Sequence, residues 1–433
     1  MVKNKIIQVL KKFDEISDWT LKVNHKVKKE LYLIFSQPES IREIDIENYQ
    51  VTIFINQDQE RQLFTGSASI SILPDTRSDE IENKISEAVF AAKLALNPRY
   101  SIAEYTQKKL SYEVCDPDIL HNLDQTLENI QETLIKAIDR EPDIKMASAE
   151  IMLTTNNRNF ITSKGLNESY CDSEILFELV LLSGVGETES ETFTLREERF
   201  LDILNIEDIV RQYADYTRDN VTAILPETGQ YSIILTEESL DEFFYYYAYQ
   251  VSAEALFNQS SRFEIGKAVV DSPRGELLNL AYDPSLKGGL KSGNYDQYGL
   301  PLERIDIIEN GVFKTVQADN RYGSYLNIPI NGSATNIVVA PGEKSFQDLL
   351  EDNCYIFSRF SSFDPDPVTG AFSGEVRNGL HYRNQQFIPI KGGSVTGVID
   401  QAMQEVWFSS ETTQKRNYFG PKYIKFSNID VTG

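Results

Sequence analysis

The stretch YDQYGLPLERIDIIENGVFKTVQADNRYGSYL, residues 295–326, sets Asn310-Gly311 between two short apolar runs. Asn-Gly accepts the positive φ angles of the tightest hairpin turns, so the stretch predicts two antiparallel strands joined there. The same pair recurs at Asn331-Gly332 and Asn378-Gly379, and the chain beyond residue 230 is expected to be mostly antiparallel sheet. The one long helix expected in that half is its opening, which contains DEFFYYYAYQVSAEALFNQSS from Asp241 to Ser261. Thr236 or Ser239 can cap it, with Glu242 three residues after Ser239 as in a capping box.

Upstream the pattern changes. An amphipathic helix carrying Ile6, Ile7, Leu10, Phe13 and Ile16 precedes TLKVNHKVKKELYLIF, NYQVTIFIN and GSASISIL, whose alternation of apolar and polar residues reads as strands. Apolar stripes predict helices over 78–96 and 120–138, both covering one face of that sheet. Further strands are expected at 147–154, 158–162 and 174–182, and a helix near 206–220. Pro226 and a Thr228-Gly229 turn mark a boundary at residues 221–230. The expected fold is α+β: an α+β domain at 1–222 and a domain dominated by a large antiparallel sheet at 223–433.

Lys and Arg total 42 against 66 Asp and Glu, a net charge of −24, which repels phosphate backbones and anionic membranes. Direct nucleic-acid binding is disfavoured, and no run approaches the roughly 18 apolar residues of a membrane span. The first residues lack the apolar centre of a signal peptide. Cys115, Cys171 and Cys354 are odd in number and scattered; they suggest neither a disulfide framework nor a zinc knuckle, and a reducing cytoplasm fits.

Reactive motifs are weak. His25, His121 and His381 are isolated from one another, whereas a hydrolytic zinc site usually draws two ligands from one helical turn. GGSVTG at 392–397 has Thr396 where a nucleophile elbow needs glycine. Ser394, with His381 as its nearest base, is therefore better read as part of a β-turn. Gly184-Val185-Gly186 lacks the third glycine of a dinucleotide loop. Asp364 and Asp366, each followed by proline, read as a tight bend rather than a cation site. Acid–base catalysis by a carboxylate pair stays open, because sequence gives no distances.

Several phrases recur in a telling order: Asp296, Gly299, Pro301 and Arg304; the Glu309-Asn310-Gly311 hairpin; Thr335-Asn336 with Pro341-Gly342; and Thr369 to Ser373. Together they resemble the TldD/TldE family of peptidases, whose TldE branch is also called PmbA. The match covers residues 225–433; FTGSASISIL and the Ala-rich segment 88–95 are similar to the family's N-terminal domain. The resemblance implies a curved antiparallel sheet around a substrate cavity, which Asp296, Arg304 and Asn336 would line. In the TldD branch an HExxxH helix and a late cysteine bind zinc. Counting back from Ser260-Ser261 puts the first histidine position near Phe244, the glutamate near Tyr245 and the second histidine near Tyr249, and Cys354 falls before the Thr369 phrase instead of after it.

The resemblance therefore implies the TldE branch, with no zinc, no other cofactor and no catalytic residue of its own. Such a chain would pair with a TldD-like zinc peptidase subunit acting on peptides, a homodimer also being allowed. The family's association with gyrase does not make the chain a DNA binder, since its charge opposes that. Two rivals are a stand-alone protein that captures peptides as an extra strand, and a metal-free hydrolase using Ser394 or a carboxylate pair. For the aromatic run three roles stay open: core packing, a subunit interface, or the wall of a peptide site.

Overall fold

Seven strands from the first half of the chain form one antiparallel sheet: β1 (Asp18–Ile34), β2 (Gln37–Gln59), β3 (Gln62–Ile72), β4 (Asn97–Pro98), β5 (Lys145–Thr162), β6 (Asn167–Ser183) and β7 (Ser190–Glu198), in the order β4-β3-β2-β1-β5-β6-β7. The computed structural model describes residues 2–106, 108, 110–186, 189–236 and 239–433. Helices α1 (Val2–Leu10) and α2 (Ser78–Leu94) bury Ile6, Ile81, Ile85 and Val89 against Leu21, Val51 and Ile53 of the sheet. After the short α3 (Pro117–His121), helices α4 (Leu123–Asp139) and α5 (Ile206–Thr222) bury Leu127, Leu134, Ile209 and Tyr213 against Ile151, Phe177 and Leu179. The alternation along the strands decides this, because it puts every apolar partner on one face.

Three expectations for this half need correction. The helix over 120–138 is two, since Asn122 leaves helical geometry (φ −137°, ψ 43°). The two strands at 147–154 and 158–162 are one. Their polar junction stays in the ladder because Asn156 donates to Asp172 Oδ1 (2.9 Å) and Glu174 Oε1 (3.2 Å) on β6. Cys115 and Cys171 form a disulfide, with Cα atoms 5.8 Å apart, while Cys354 is free and buried. The loop before α3 lies along β6, with Ser173 N donating to Val114 O (3.1 Å). Sequence spacing could not show that approach, and the cysteine argument for a reducing compartment loses its force.

In the second half, α6 (Ser239–Gln250) lies between two sheets. One joins β9 (Leu280–Asp283), β10 (Ile305–Glu309), β11 (Val312–Phe313), β12 (Asn336–Val339), β18 (Thr412–Lys415) and β19 (Tyr418–Pro421). The other contains β8 (Gly229–Thr236), β13 (Cys354–Phe363), β14 (Ala371–Arg383), β15 (Gln386–Ile390), β16 (Ser394–Val398), β17 (Val406–Phe408) and β20 (Tyr423–Thr432). Because β14 pairs with both β13 and β16, the order β13-β8-β20-β16-β14 closes on itself. Most pairings are antiparallel, as expected, the exceptions being β8–β13 and β12–β19.

Asn310-Gly311 turns the β10–β11 hairpin with φ of 49° and 71°. The other two Asn-Gly pairs do not make hairpins. Asn331-Gly332 is in a loop. Asn378 sits inside β14, where its amide donates to Tyr216 O (3.1 Å) and Asn220 Oδ1 (2.8 Å) on α5. The helix cap also differs. Ser239 is the first residue of α6, with its hydroxyl donating back to Thr236 O (2.8 Å), and the Thr236 hydroxyl has no hydrogen-bond partner among the described residues. Residues 237 and 238 lie outside the described residues.

Candidate functional site

The run of rings on α6 divides by helical phase. Phe243, Phe244, Tyr246 and Tyr247 are fully buried, whereas Tyr245 is 54% exposed. Phe243 meets Phe426 of β20 (5.1 Å between centroids) and Phe372 of β14 (6.2 Å), and Phe244 stacks on Tyr418 of β19 (5.4 Å, 12°). Tyr246 finds a partner for its hydroxyl in Asp400 (2.8 Å), which also pairs with Arg262 (2.9 Å). Burial pushes the Tyr247 phenol well above its ordinary pKa, and its hydroxyl has no hydrogen-bond partner among the described residues. Tyr249, half-buried, shares a hydrogen bond with Ser260 (2.8 Å). The rings thus serve mainly as the joint between the two sheets.

A cleft of ≈ 570 Å³ opens where the start of α6 meets both halves of the chain. One wall is β7, the last strand of the first sheet, presenting Glu191, Phe193, Leu195 and Glu197. The opposite wall is Arg359 to Phe363 of β13, a segment that pairs with β14 on one side, while β8 reaches only as far as Phe357. Among the described residues, two strand edges without neighbouring strands therefore border one cleft. Arg359 spans it, its guanidinium 5.6 Å from the Phe193 ring and 5.3 Å from Tyr213. Arg377, Lys391 and Arg416 add positive charge, and Arg416 pairs with Glu197 (2.9 Å). With Glu191, Glu197 and Glu242 in the same lining the cleft is of mixed charge, its cations slightly in excess in an otherwise acidic chain. The described lining holds no histidine or cysteine.

Residues 228–433 match the family model of the PmbA/TldA metallopeptidase C-terminal domain. The C-terminal half belongs to the PmbA/TldD family. Among curated proteins, an uncharacterized protein of Methanocaldococcus jannaschii, MJ0231, is 28% identical over 35% of this chain and 39% of its own length. A zinc metalloprotease TldD homolog of Saccharolobus solfataricus is 20% identical over 73% of this chain and 78% of that one. Among solved structures, TldE from Thermococcus kodakarensis superposes with a TM-score of 0.81 over 100% of both chains at 17% identity. A Thermotoga maritima structure named for modulation of a DNA gyrase gives 0.81 over 99% of both at 14%. At these identities the superpositions show a shared fold.

The PmbA/TldD motif residues can now be placed. Asp296 is buried, its Oδ1 accepting from Tyr298 N (2.8 Å) and Leu300 N (2.9 Å), so its carboxylate shapes the loop that Gly299 turns at φ 85°. Burial pushes its pKa up to about 6. It lines a pit of ≈ 130 Å³ with Lys22, Arg158 and Tyr170. Asn336 is fully buried, its amide donating to Asp283 O and Ser292 Oγ (both 2.8 Å) and its Oδ1 accepting from Lys291 N (2.9 Å). A side chain on Gly289 would strike it at 2.5 Å, which explains glycine there. Arg304 is half-exposed and pairs with Asp283 (3.2 Å) and Asp306 (3.4 Å).

The residues that the resemblance puts near the zinc positions, and the free cysteine, do not fit a zinc ion. Phe244 points into the core, Tyr245 faces out, Tyr249 bonds Ser260, and Cys354 packs in a separate cluster with Ile234, Leu349 and Ile356. Among the described residues no group of three or more His, Cys, Asp or Glu side chains is placed to hold a metal. The weaker motifs stay apart as well. His381 bonds Asn353 (2.8 Å) and stacks on Tyr355, while Ser394 pairs in the ladder with Glu375. At about 3.3 Å per residue the six positions from Glu375 to His381 along β14 span about 20 Å. Asp366 accepts from Val368 N and Thr369 N, closing a turn. No helix among the described residues is long and apolar enough to cross a membrane.

Proposed function

We propose that this chain is a TldE-like subunit without its own zinc centre, built from domains at 1–222 and 223–433, which holds extended peptides for a TldD-like zinc peptidase partner. The reading places it in the cytoplasm. The observation that carries it is the fate of α6: where a zinc peptidase of this family would have ligands, this helix has rings, and the ring of Phe244 is part of the packing between sheets. The cleft supplies the complementary half, with cations and strand edges suited to a peptide backbone and its carboxylates. Purified chain is expected to hold no stoichiometric zinc and to leave peptides intact. Mixing with a TldD-like subunit is expected to raise peptidase activity at least about tenfold over either chain alone, an effect near 1.4 kcal/mol. Chelator-sensitive cleavage by this chain alone, with one bound zinc, would refute the reading.

A second reading, peptide capture without a catalytic partner, is favoured by the two strand edges that border the cleft. It predicts micromolar binding of an extended acidic peptide by the isolated chain, weakened by Lys391→Glu, with no gain of activity on mixing.

A further inference from the structure

Strand β2 pairs with β3 only from Tyr49 to Gln59, so the outer edge of residues 37–48 has no neighbouring strand among the described residues. Ile41, Ile44 and Ile46 are 67%, 38% and 44% exposed there, and the adjoining turn adds Phe35 at 66%. A bare edge with repeated isoleucines is a template for another strand, and proteins commonly blunt such edges. Pro38 removes one backbone donor near the start. From Ile41 onward the segment has no proline, and its β1 ladder is unbroken. Its special feature is charge: Glu43, Asp45 and Glu47 share one face, and Arg42, Ile44 and Ile46 share the other. Lys29 of β1 is divided between Glu43 and Asp124, and the Glu43 and Asp45 side chains stay 59% and 64% exposed.

These acids decide which strand fits. Two copies joined edge to edge in one sheet about a two-fold axis keep every residue on its own face. Glu39, Ile41, Glu43, Asp45 and Glu47 could then oppose only one another. Centring the pairing on residue 42 sets Asp45 against the copy's Glu39; on 43, Glu43 against itself; on 44, Glu43 against Asp45; on 45, Asp45 against itself and Glu43 against Glu47. Like charges directly opposite are destabilising, so each register is penalised. We propose that residues 37–48 of β2 are a docking edge for an extended segment of a different chain, one with Lys or Arg toward Glu43, Asp45 and Glu47 and apolar side chains toward Ile44 and Ile46. About half of the edge residues would offer backbone groups to that strand. This assembly edge lies apart from the cleft and does not rest on the peptidase chemistry.

The test uses the full-length protein and a labelled synthetic peptide of alternating valine and lysine, read by fluorescence anisotropy. Two controls are a peptide of equal charge whose central valines are prolines, and one of alternating valine and glutamate. The valine–lysine peptide is expected to bind at least about tenfold tighter than its proline-broken form. The variant E43K/D45K/E47K, checked for native circular dichroism, is expected to lose that binding about tenfold and to prefer the valine–glutamate peptide. Equal binding of the intact and proline-broken peptides would mean a response to net charge alone and would overturn the proposal, as would unchanged binding by the reversed variant. A wild-type dimer in sedimentation that Ile44→Pro abolishes would also overturn it, by showing that the edge pairs with itself.

Discussion

Phe244→His is expected to destabilise the protein by about 3–4 kcal/mol and to create no zinc site. Truncating a buried Phe costs about 3–5 kcal/mol; histidine restores part of the volume, yet it buries ring nitrogens among apolar neighbours, at about 1–3 kcal/mol when unpaired. Those neighbours are Phe243, Tyr247 and the stacked Tyr418, all fully buried. Adding Tyr249→His does not help, because the Tyr249 side chain turns to Ser260 while Phe244 points into the core. Tyr245 and Tyr249, four apart, do share a side of α6. Tyr245→His, at a half-exposed position, is expected to shift stability by no more than about 0.5 kcal/mol. Urea unfolding with metal analysis of dialysed protein checks both parts. A Phe244→His variant as stable as wild type, or one carrying an equivalent of zinc, would mean that the helix does not pack as described.

Much of this was legible in sequence, and the exceptions share a cause. Strand β1 and the parts of β2 and β6 at 48–56 and 174–182 were readable because their inward faces there are apolar; residues 37–47 of β2 were not, since the same face there carries Glu43, Asp45 and Glu47. Strand β7 was not, because its buried face is Ser190, Thr192, Thr194, Arg196 and Glu198. Thr192 meets Thr217 and Arg196 lies 5.7 Å from the Tyr213 ring, so polar pairing with α5 replaces hydrophobic contact. Turn chemistry misled in both directions. Asn378-Gly379 is in a strand, while real hairpin turns fall on Phe35-Ser36, Glu60-Arg61 and Asn384-Gln385, all at positive φ without glycine. The ring run on α6 was visible, and its division into buried and exposed members follows from the helical repeat. The cleft was not visible, since β7 and β13 meet only in three dimensions. Asp296 both holds its loop and lines the small pit, while Asn336 ties the 283–292 loop, roles that local sequence does not separate.

The carboxyl of Glu198 makes the strand beside the cleft sensitive to pH, and Glu198→Gln is expected to stabilise the protein by about 2–3 kcal/mol at pH 8 and by little at pH 4. Glu198 is 5% exposed, and its Oε2 has no hydrogen-bond partner among the described residues. Burial pushes its pKa up to about 7, against an opposing pull from Arg196 and with a further push from Glu197. In the unfolded chain the group titrates near 4.5, so between these values the folded protein binds the extra proton. Stability therefore falls as pH rises through that window and stays at the lower level above about 7. A glutamine is neutral throughout and removes the fall. Other buried acids, Asp296 among them, titrate in the same sense, so the informative quantity is the difference between variant and wild type, measured by urea unfolding from pH 4 to pH 8. A difference that does not grow across this range would show that Glu198 is ionised in the fold at ordinary pH, with its charge met by Arg196 or by water.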